Sequence, residues 1–274
     1  MHCTTRPRLQ AANRIAYANP DQIPSSIDIG FKDHFSGHAG SYAAHRPSYP
    51  EPLFSFLADC CHEHDLAWDC ATGNGQAARS VAPFFANVLA TDASEEQIAS
   101  AAPHPGIEFR MAPAEASGID ADSVDLITVA QALHWFEIER FFDEVCRVLK
   151  PGGVLAVWAY ERCHVTPECN EVVENIFTEV ESFWPPEREI VEGQYRSVTL
   201  SVPEIPVDSF DMQRDWTADQ LLNYMRTWSA TQRYMQAHAS DPLAPYEQKL
   251  RALWGEGKRA LRWPLTLKAG RKVS

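Results

Sequence analysis

Long apolar runs and basic clusters are both missing from this sequence. No stretch of about 18 consecutive apolar residues occurs, so we expect no transmembrane helix and no membrane partner. The 24 lysines and arginines are dispersed and outnumbered by 37 acidic residues, which gives a formal net charge of −13 at pH 7. That balance argues against binding of bare nucleic acid, because a nucleic-acid site needs a local basic face. The expected partner is a small molecule.

Cysteine spacings typical of metal sites are also lacking. The seven cysteines are odd in number and irregularly placed. Cys60 and Cys61, with His62 and His64 nearby, leave a metal site open as an alternative, but adjacent cysteines at a helix end are more often packing residues. We therefore expect no metal. Reduced thiols fit a cytoplasmic protein, and we expect a monomer or a homodimer.

Residues 1–30 lack the apolar core of a secretory signal. They contain Arg6, Arg8 and Arg14 but no h-region, so we interpret them as a poorly ordered extension, with a transit peptide as the alternative. The chain has neither internal repeats nor low-complexity tracts. Its 45% hydrophobic content is enough for a sizeable core.

Residues 31–160 show a pattern of short apolar strands alternating with helices of about ten residues. Strands are expected at Leu66–Cys70, Val88–Thr91, Ile107–Met111, Val124–Val129 and Val154–Trp158, and helices at Gly75–Val81, Glu95–Ala102 and Ile138–Leu149. Such alternation is typical of βαβ units. Because their crossovers are right-handed, we predict an α/β fold with a doubly wound, mostly parallel sheet of seven strands.

The rhythm changes after Tyr160. Thr166-Pro167 and the capping-box pattern Thr217–Gln220 each predict the start of a helix. Residues 161–235 are therefore expected to form a mostly helical insertion that serves as a substrate lid. Residues 236–274 are expected to return to the sheet through a last strand near residues 263–267.

The stretch Leu66–Ala78 combines a buried strand, an acid and a glycine turn. Gly73 and Gly75 precede a helix whose first N–H groups suit a polar ligand. Asp92 follows about 20 residues later, where a ribose-binding acid belongs in the dinucleotide fingerprint. On these residues alone, an NAD(P)-dependent oxidoreductase remains possible.

Other residues favour a different cofactor. Asp69 lies inside the strand ahead of the turn, Ala114-Glu115 follows the third strand, and Lys150-Pro151-Gly152-Gly153 follows the amphipathic helix. With the glycine turn and Asp92, these motifs resemble the class I S-adenosylmethionine-dependent methyltransferases over about residues 31–160. The alternative to an enzyme is a non-catalytic module that only binds the cofactor.

A narrower resemblance is to the trans-aconitate methyltransferase-like branch. It is carried by Tyr42…Arg46-Pro47-x-Tyr49-Pro50, by Ala132–Phe136 and by Thr227–Ala230. This branch is similar to small-molecule carboxyl methyltransferases, so the resemblance implies a small-molecule acceptor with a carboxylate oxygen favoured.

The class I resemblance implies a role for each matching residue. The cofactor-binding set is Asp69, Ala71, Gly73 and Gly75 at the methionine end, Asp92 at the ribose, Ala114 and Glu115 at the adenine, and Gln131 beside the sulfonium. Alanine at position 71 departs from the family's usual glycine, which is tolerated if Ala71 keeps a negative φ.

Methyl transfer from a sulfonium requires alignment of the nucleophile and the methyl carbon, and an ionised carboxylate needs no base. His134, Tyr42 and Arg46 are the candidate catalytic residues. His134 either orients a substrate oxygen or serves as a base for a hydroxyl or amine, and Arg46 pairs with either the cofactor or the substrate. Trp135, Tyr195 and Trp228 are the candidate substrate contacts.

Overall fold

The computed structural model describes residues 47–273, and five parallel strands form the first half of its sheet. They are β1 (Leu66–Cys70), β2 (Asn87–Asp92), β3 (Ile107–Met111), β4 (Val124–Ala130) and β5 (Leu149–Tyr160). Their order across the sheet is β3-β2-β1-β4-β5, so the strand order reverses between β1 and β4 while all five strands stay parallel. In open α/β sheets, ligands bind outside the carboxyl ends of the strands at this switch point.

The second half of the sheet is antiparallel and is organised by one long strand, β8 (Arg259–Arg271). One part of β8 pairs with β5 and with β6 (Glu204–Ile205), and the other part pairs with β7 (Asp211–Trp216). The sheet therefore has eight strands rather than seven, since β7 adds a partner at the end of β8. The predicted α/β fold class with a mostly parallel sheet is confirmed.

Helices cover both faces of the parallel strands. They are α1 (Glu51–Asp59), α2 (Gln76–Val81), α3 (Glu95–Ser100) and α4 (Ile138–Val148). Phe141, Val145 and Val148 of α4 are buried in the apolar cluster on one face, whereas α1 and α2 contribute to the cluster on the other face. Burial of both sheet faces explains why the strands read as continuous apolar runs.

The segment Lys150–Gly153 forms the extended start of β5, and the β4–β5 register shifts between Val124 and Leu126. Lys150 Nζ lies 2.9 Å from a carboxylate oxygen of Glu63, 2.9 Å from one of Asp65 and 2.8 Å from one of Asp125. The segment is therefore fixed by ion pairs at the amino ends of β1 and β4.

Five further helices follow β5 in the chain. They are α5 (Pro167–Glu179), α6 (Glu189–Glu192), α7 (Ala218–Arg226), α8 (Ser229–His238) and α9 (Ala244–Trp254). Thr217 begins α7 with the predicted capping box: its hydroxyl accepts from Gln220 N, and Gln220 Oε1 accepts from Thr217 N at 2.9 Å. The helices continue to Trp254, and β6 and β7 lie within residues 161–235. In residues 47–273, no helix is long and apolar enough to cross a bilayer.

Candidate functional site

The turn after β1 takes a left-handed backbone conformation at three positions. The φ angles are +54° at Ala71, +55° at Gly73 and +83° at Gly75. The condition under which alanine is tolerated, a negative φ at Ala71, is not met, because the backbone leaves β1 through the left-handed region. An L-residue in that region is strained by about 1–2 kcal/mol, and glycine is not.

Ala71→Gly is therefore expected to raise the free energy of unfolding by about 0.5–1 kcal/mol, because it removes the Cβ strain at a small cost in chain entropy. Urea denaturation of the two proteins measures the difference. The matched control is Ala77→Gly in α2, a buried helical position where glycine is expected to cost about 1 kcal/mol. Equal destabilisation by both substitutions would show that Ala71 is not strained.

Asp69 lies in β1 directly ahead of the turn and is 1% exposed. Its Oδ2 accepts from Thr72 Oγ1 at 2.5 Å and from Ala78 N at 3.0 Å, and its Oδ1 accepts from Thr128 Oγ1 at 2.6 Å. Burial raises the pKa of Asp69 to about 6, although these hydrogen bonds oppose the shift. The carboxylate thus joins β1, β4 and the first turn of α2.

Asp92 ends β2 and faces the same turn. Its Oδ2 accepts from Gly73 N at 2.9 Å, and its Oδ1 accepts from Ser94 N at 2.9 Å. The Ser94 side chain in turn accepts from Gln97 N and begins α3. Asp92 therefore lies against the glycine turn, as its spacing in the sequence suggested.

The segment after β3 is fixed against α4. Glu144 Oε1 accepts from Ser117 N at 2.9 Å and from Ser117 Oγ at 2.5 Å, and Arg147 pairs with the same carboxylate. These bonds hold the loop that carries Ala114, which is buried, and Glu115. Glu115 Oε1 accepts from the backbone N–H at the start of α4 at 2.9 Å.

Gln131, directly after β4, also has a left-handed φ of +58°. Its side-chain amide pairs with the backbone of Tyr160 at the end of β5: Nε2 donates to Tyr160 O at 3.0 Å, and Oε1 accepts from Tyr160 N at 2.8 Å. This pairing turns the chain away from the sheet at the carboxyl edge. The candidate cofactor residues therefore follow β1, β2, β3 and β4 at one edge of the sheet.

His134 lies on a short 3-10 helix, Leu133–Trp135, beyond Gln131. Its ring is 8% exposed and its centroid lies 4.5 Å from that of Trp135. Burial and, to a smaller extent, the positive charge of Arg188 lower the pKa of His134 to about 3. The imidazole is therefore neutral at physiological pH and resists accepting a proton.

Arg188 is a residue that the sequence reasoning missed. It ends the 3-10 turn Pro186–Arg188, which packs against the helix carrying His134. Tyr195 is fully buried on the chain that follows, and the charge of Arg188 acts on its hydroxyl. Trp228 is 8% exposed, and its ring lies 5.9 Å from that of Trp184. In the sequence, Arg188 could have been noticed as a lone cation in an aromatic, proline-rich stretch.

Two further expectations concern other parts of the chain. Tyr42 and Arg46 lie outside the described residues. Cys61 is buried with its Sγ 3.4 Å from Leu57 O, and burial raises the pKa of its thiol to about 12. Among residues 47–273, the one cluster of three metal-type side chains is Glu63, Asp65 and Asp125, where Lys150 supplies the positive charge.

Comparison with known proteins agrees with this arrangement. A family model described as a methyltransferase domain matches residues 68–157. A Dictyostelium discoideum protein named as a methyltransferase of inferred function is 31% identical over 232 residues, which cover 83% of this chain and 88% of that protein. A Saccharomyces cerevisiae protein, named as an S-adenosylmethionine-dependent methyltransferase, is 33% identical over 125 residues. They cover 42% of this chain and 43% of that protein.

A solved structure from Anaeromyxobacter dehalogenans, described as a type II methyltransferase, superposes with a TM-score of 0.79. It is 38% identical and covers 83% of this chain and 98% of its own. The similarity thus extends well beyond the matched domain, into the helices that follow β5. The chain belongs to the S-adenosylmethionine-dependent methyltransferases of class I.

Proposed function

We propose that this protein transfers the methyl group of S-adenosylmethionine to a carboxylate oxygen of a small molecule. The observation that carries the proposal is the buried, neutral His134 at the carboxyl edge of the sheet beside the cation Arg188. An imidazole whose pKa is lowered to about 3 is a poor proton acceptor at neutral pH. A nucleophile that arrives already ionised suits such a site, and a carboxylate is ionised at pH 7.

The residues at the turn fit the cofactor. Asp92 presents its carboxylate beside a turn whose glycines admit a close ligand, and two acceptor oxygens suit a pair of ribose hydroxyls. Asp69 is 1% exposed and its two oxygens accept three hydrogen bonds within the protein, whereas Asp92 is only half-buried. We therefore assign Asp69 to holding the turn rather than to direct contact with the α-ammonium. Gly73 and Gly75 with Ala71 form the methionine end of the site.

The other residues receive roles by their position. Ala114 and Glu115 flank the adenine, and Gln131 lies beside the sulfonium. Bound S-adenosylmethionine supplies an electrophilic methyl group, and the protein aligns the acceptor and excludes water. His134 orients the acceptor as a neutral hydrogen-bonding group rather than as a base.

We propose that residues 161–235 cover the acceptor side of the site as a lid. Trp135, Tyr195 and Trp228 then line the acceptor pocket, and Tyr42 and Arg46 stay candidate catalytic residues from the sequence alone. We propose that the protein belongs to the trans-aconitate methyltransferase-like branch, and the motifs Ala132–Phe136 and Thr227–Ala230 support this proposal. We propose that it acts in the cytoplasm as a monomer or a homodimer, and analytical ultracentrifugation distinguishes the two.

The experiment that tests the proposed function measures binding of S-adenosylhomocysteine and of NADH by isothermal titration calorimetry. Micromolar binding of S-adenosylhomocysteine with no NADH binding is expected. A methyl-transfer assay with labelled cofactor over acids, phenols and amines then tests the acceptor class, and ester products are expected. Methylation of amines alone would contradict the carboxylate assignment without affecting the cofactor assignment.

Asp92→Ala is expected to weaken S-adenosylhomocysteine binding by about 1.5–3 kcal/mol, the scale of a hydrogen bond to a charged group. The matched control is Ser94→Ala, which removes the α3 cap and leaves the Asp92 carboxylate in place. Calorimetry on both variants, after circular dichroism has shown that they fold, separates binding from loop stability. Equal losses in the two variants would remove Asp92 from the binding site.

A further inference from the structure

Arg188 reaches the acceptor side of the site from a separate part of the chain. The 3-10 turn Pro186–Arg188 packs against the 3-10 helix Leu133–Trp135, which follows β4 at the carboxyl edge of the sheet. The charge of Arg188 acts on His134, Tyr195 and Tyr160, the residue whose backbone pairs with Gln131. The guanidinium therefore belongs to the neighbourhood in which methyl transfer is proposed.

The Arg188 guanidinium is buried without a full complement of partners. Its side chain is 15% exposed, and its Cζ lies 4.0 Å from the ring centroid of Trp184. The carboxylate paired with it is that of Glu192, which is 42% exposed. Glu192 Oε1 lies 3.5 Å from Arg188 Nε. Within the described part of the chain, Arg188 Nε has no hydrogen-bond partner. Burial lowers the pKa of Arg188 despite Glu192, so its charge is under-compensated.

Three neighbouring polar atoms share this condition. His134 Nδ1, the Tyr195 hydroxyl and Trp184 Nε1 are all buried, and none has a hydrogen-bond partner in residues 47–273. Buried polar groups are normally paired, so a cluster of unpaired ones around a buried cation needs an explanation. A ligand with anionic oxygen atoms would supply acceptors to the guanidinium, the hydroxyl and the indole together.

A second cation in the same aromatic cluster does not share this condition. The Cζ of Arg162 lies 4.1 Å from the ring centroid of Phe177, and Phe177 stacks on Trp184. The Arg162 guanidinium is nevertheless paired, because its Nε lies 2.9 Å from a carboxylate oxygen of Glu174. Stacking on an aromatic ring therefore does not by itself leave a cation in need of an anion.

We propose that Arg188 binds the carboxylate of the methyl acceptor and sets the preference for acidic acceptors. This assignment rests on the proposed function. One carboxylate oxygen is held by Arg188 with Tyr195, and the apolar remainder packs on the cluster of Trp184, Phe177 and Trp228. The other oxygen forms the new bond to the methyl carbon, and the carbon–sulfur bond breaks with its electron pair left on sulfur. The products are a neutral ester and a neutral thioether, so Arg188 holds the substrate more tightly than the product.

The test uses calorimetric binding of acids and their amides to the full chain saturated with S-adenosylhomocysteine. The probes are benzoate, phenylacetate and hexanoate, each paired with its primary amide. Wild-type protein is expected to bind at least one acid more tightly than its amide. Arg188→Met is expected to weaken that acid about 20- to 100-fold, the scale of hydrogen bonds to a charged group, and to leave the amide unchanged.

Arg162→Met is the matched control, because it removes a stacked guanidinium from the same aromatic cluster and is expected to leave the preference for acids intact. Arg188→Lys keeps the charge without the planar fork and is expected to retain part of the preference. Thermal unfolding and S-adenosylhomocysteine binding show whether each variant folds. Equal acid binding by wild type and Arg188→Met, or no acid binding by wild type, overturns the assignment. If S-adenosylhomocysteine does not bind wild type, the proposed function is overturned instead. Acid binding measured in the absence of S-adenosylhomocysteine then still tests Arg188.

Discussion

Asp69→Ala is expected to lower the free energy of unfolding by about 2–4 kcal/mol and to reduce S-adenosylhomocysteine affinity about 100-fold or more. The substitution leaves the N–H of Ala78 and the hydroxyls of Thr72 and Thr128 without their buried acceptor. Relief from burying a charge offsets part of this loss. Binding is expected to fall as well, because the turn of the proposed cofactor site loses the group that closes it.

Asp69→Asn is the matched control for shape. An asparagine still accepts from Ala78 N, and the hydroxyl of Thr128 can rotate to accept from its amide. We expect this variant to be within about 1 kcal/mol of wild type in stability at pH 7, because it keeps most hydrogen bonds and removes the buried charge. Urea denaturation and calorimetry report the two effects separately. If the alanine and asparagine variants bound S-adenosylhomocysteine as wild type does, Asp69 would have no role in shaping the turn.

The pH dependence of the free energy of unfolding provides a second test of Asp69. Burial raises its pKa to about 6 in the folded state, above the unfolded value of about 3.9. Between these values the folded state binds more protons than the unfolded state, so this residue makes stability fall as the pH rises from about 4 to about 6. The stability of wild type relative to Asp69→Asn is therefore expected to decline across that window. A constant difference between the two proteins from pH 4 to pH 7 would contradict the raised pKa.

The parts of the fold that were predicted correctly depend on local signals. The bounds of β1 match the prediction because an apolar run ends there at a turn, and α7 begins where Thr217 and Gln220 form a capping box. The number of strands was harder to predict from the sequence, because β7 is polar on one face and joins the sheet only by pairing with β8. Such pairing joins residues far apart in sequence.

The site depends on the same long-range placement. Thr128 is a polar residue in a mostly apolar strand, and its partner Asp69 lies 59 residues away. Arg188 comes from a turn that follows the predicted helix of the insertion, and only the fold brings it to His134. The left-handed φ of Ala71 contradicted its residue type, since alanine rarely adopts it. Sequence patterns identified which residues bear chemistry, and the folded backbone determined which of them meet.

Gly75→Ala is expected to be the most disruptive single-methyl change in the turn. A Cβ at this position would lie 2.7 Å from Phe109 Cε1, and the backbone has a φ of +83°. The strain from φ alone costs about 1–2 kcal/mol, and the contact with Phe109 adds to it, so we expect a loss of about 3–4 kcal/mol in stability. A shifted turn also displaces the first N–H groups of α2, so S-adenosylhomocysteine affinity is expected to fall at least about 100-fold.

Gly257→Ala separates the two causes, because Gly257 has a nearly identical φ of +82° and no atom within 4 Å of the added methyl. Its cost, about 1–2 kcal/mol, reports backbone strain alone. The difference between the two alanine variants in urea denaturation then measures the steric contact with Phe109. Adding Phe109→Leu to Gly75→Ala is expected to recover part of that difference and none of the φ strain. Equal costs at positions 75 and 257 would show that Phe109 yields to the methyl group, and the turn would then tolerate alanine wherever its φ permits.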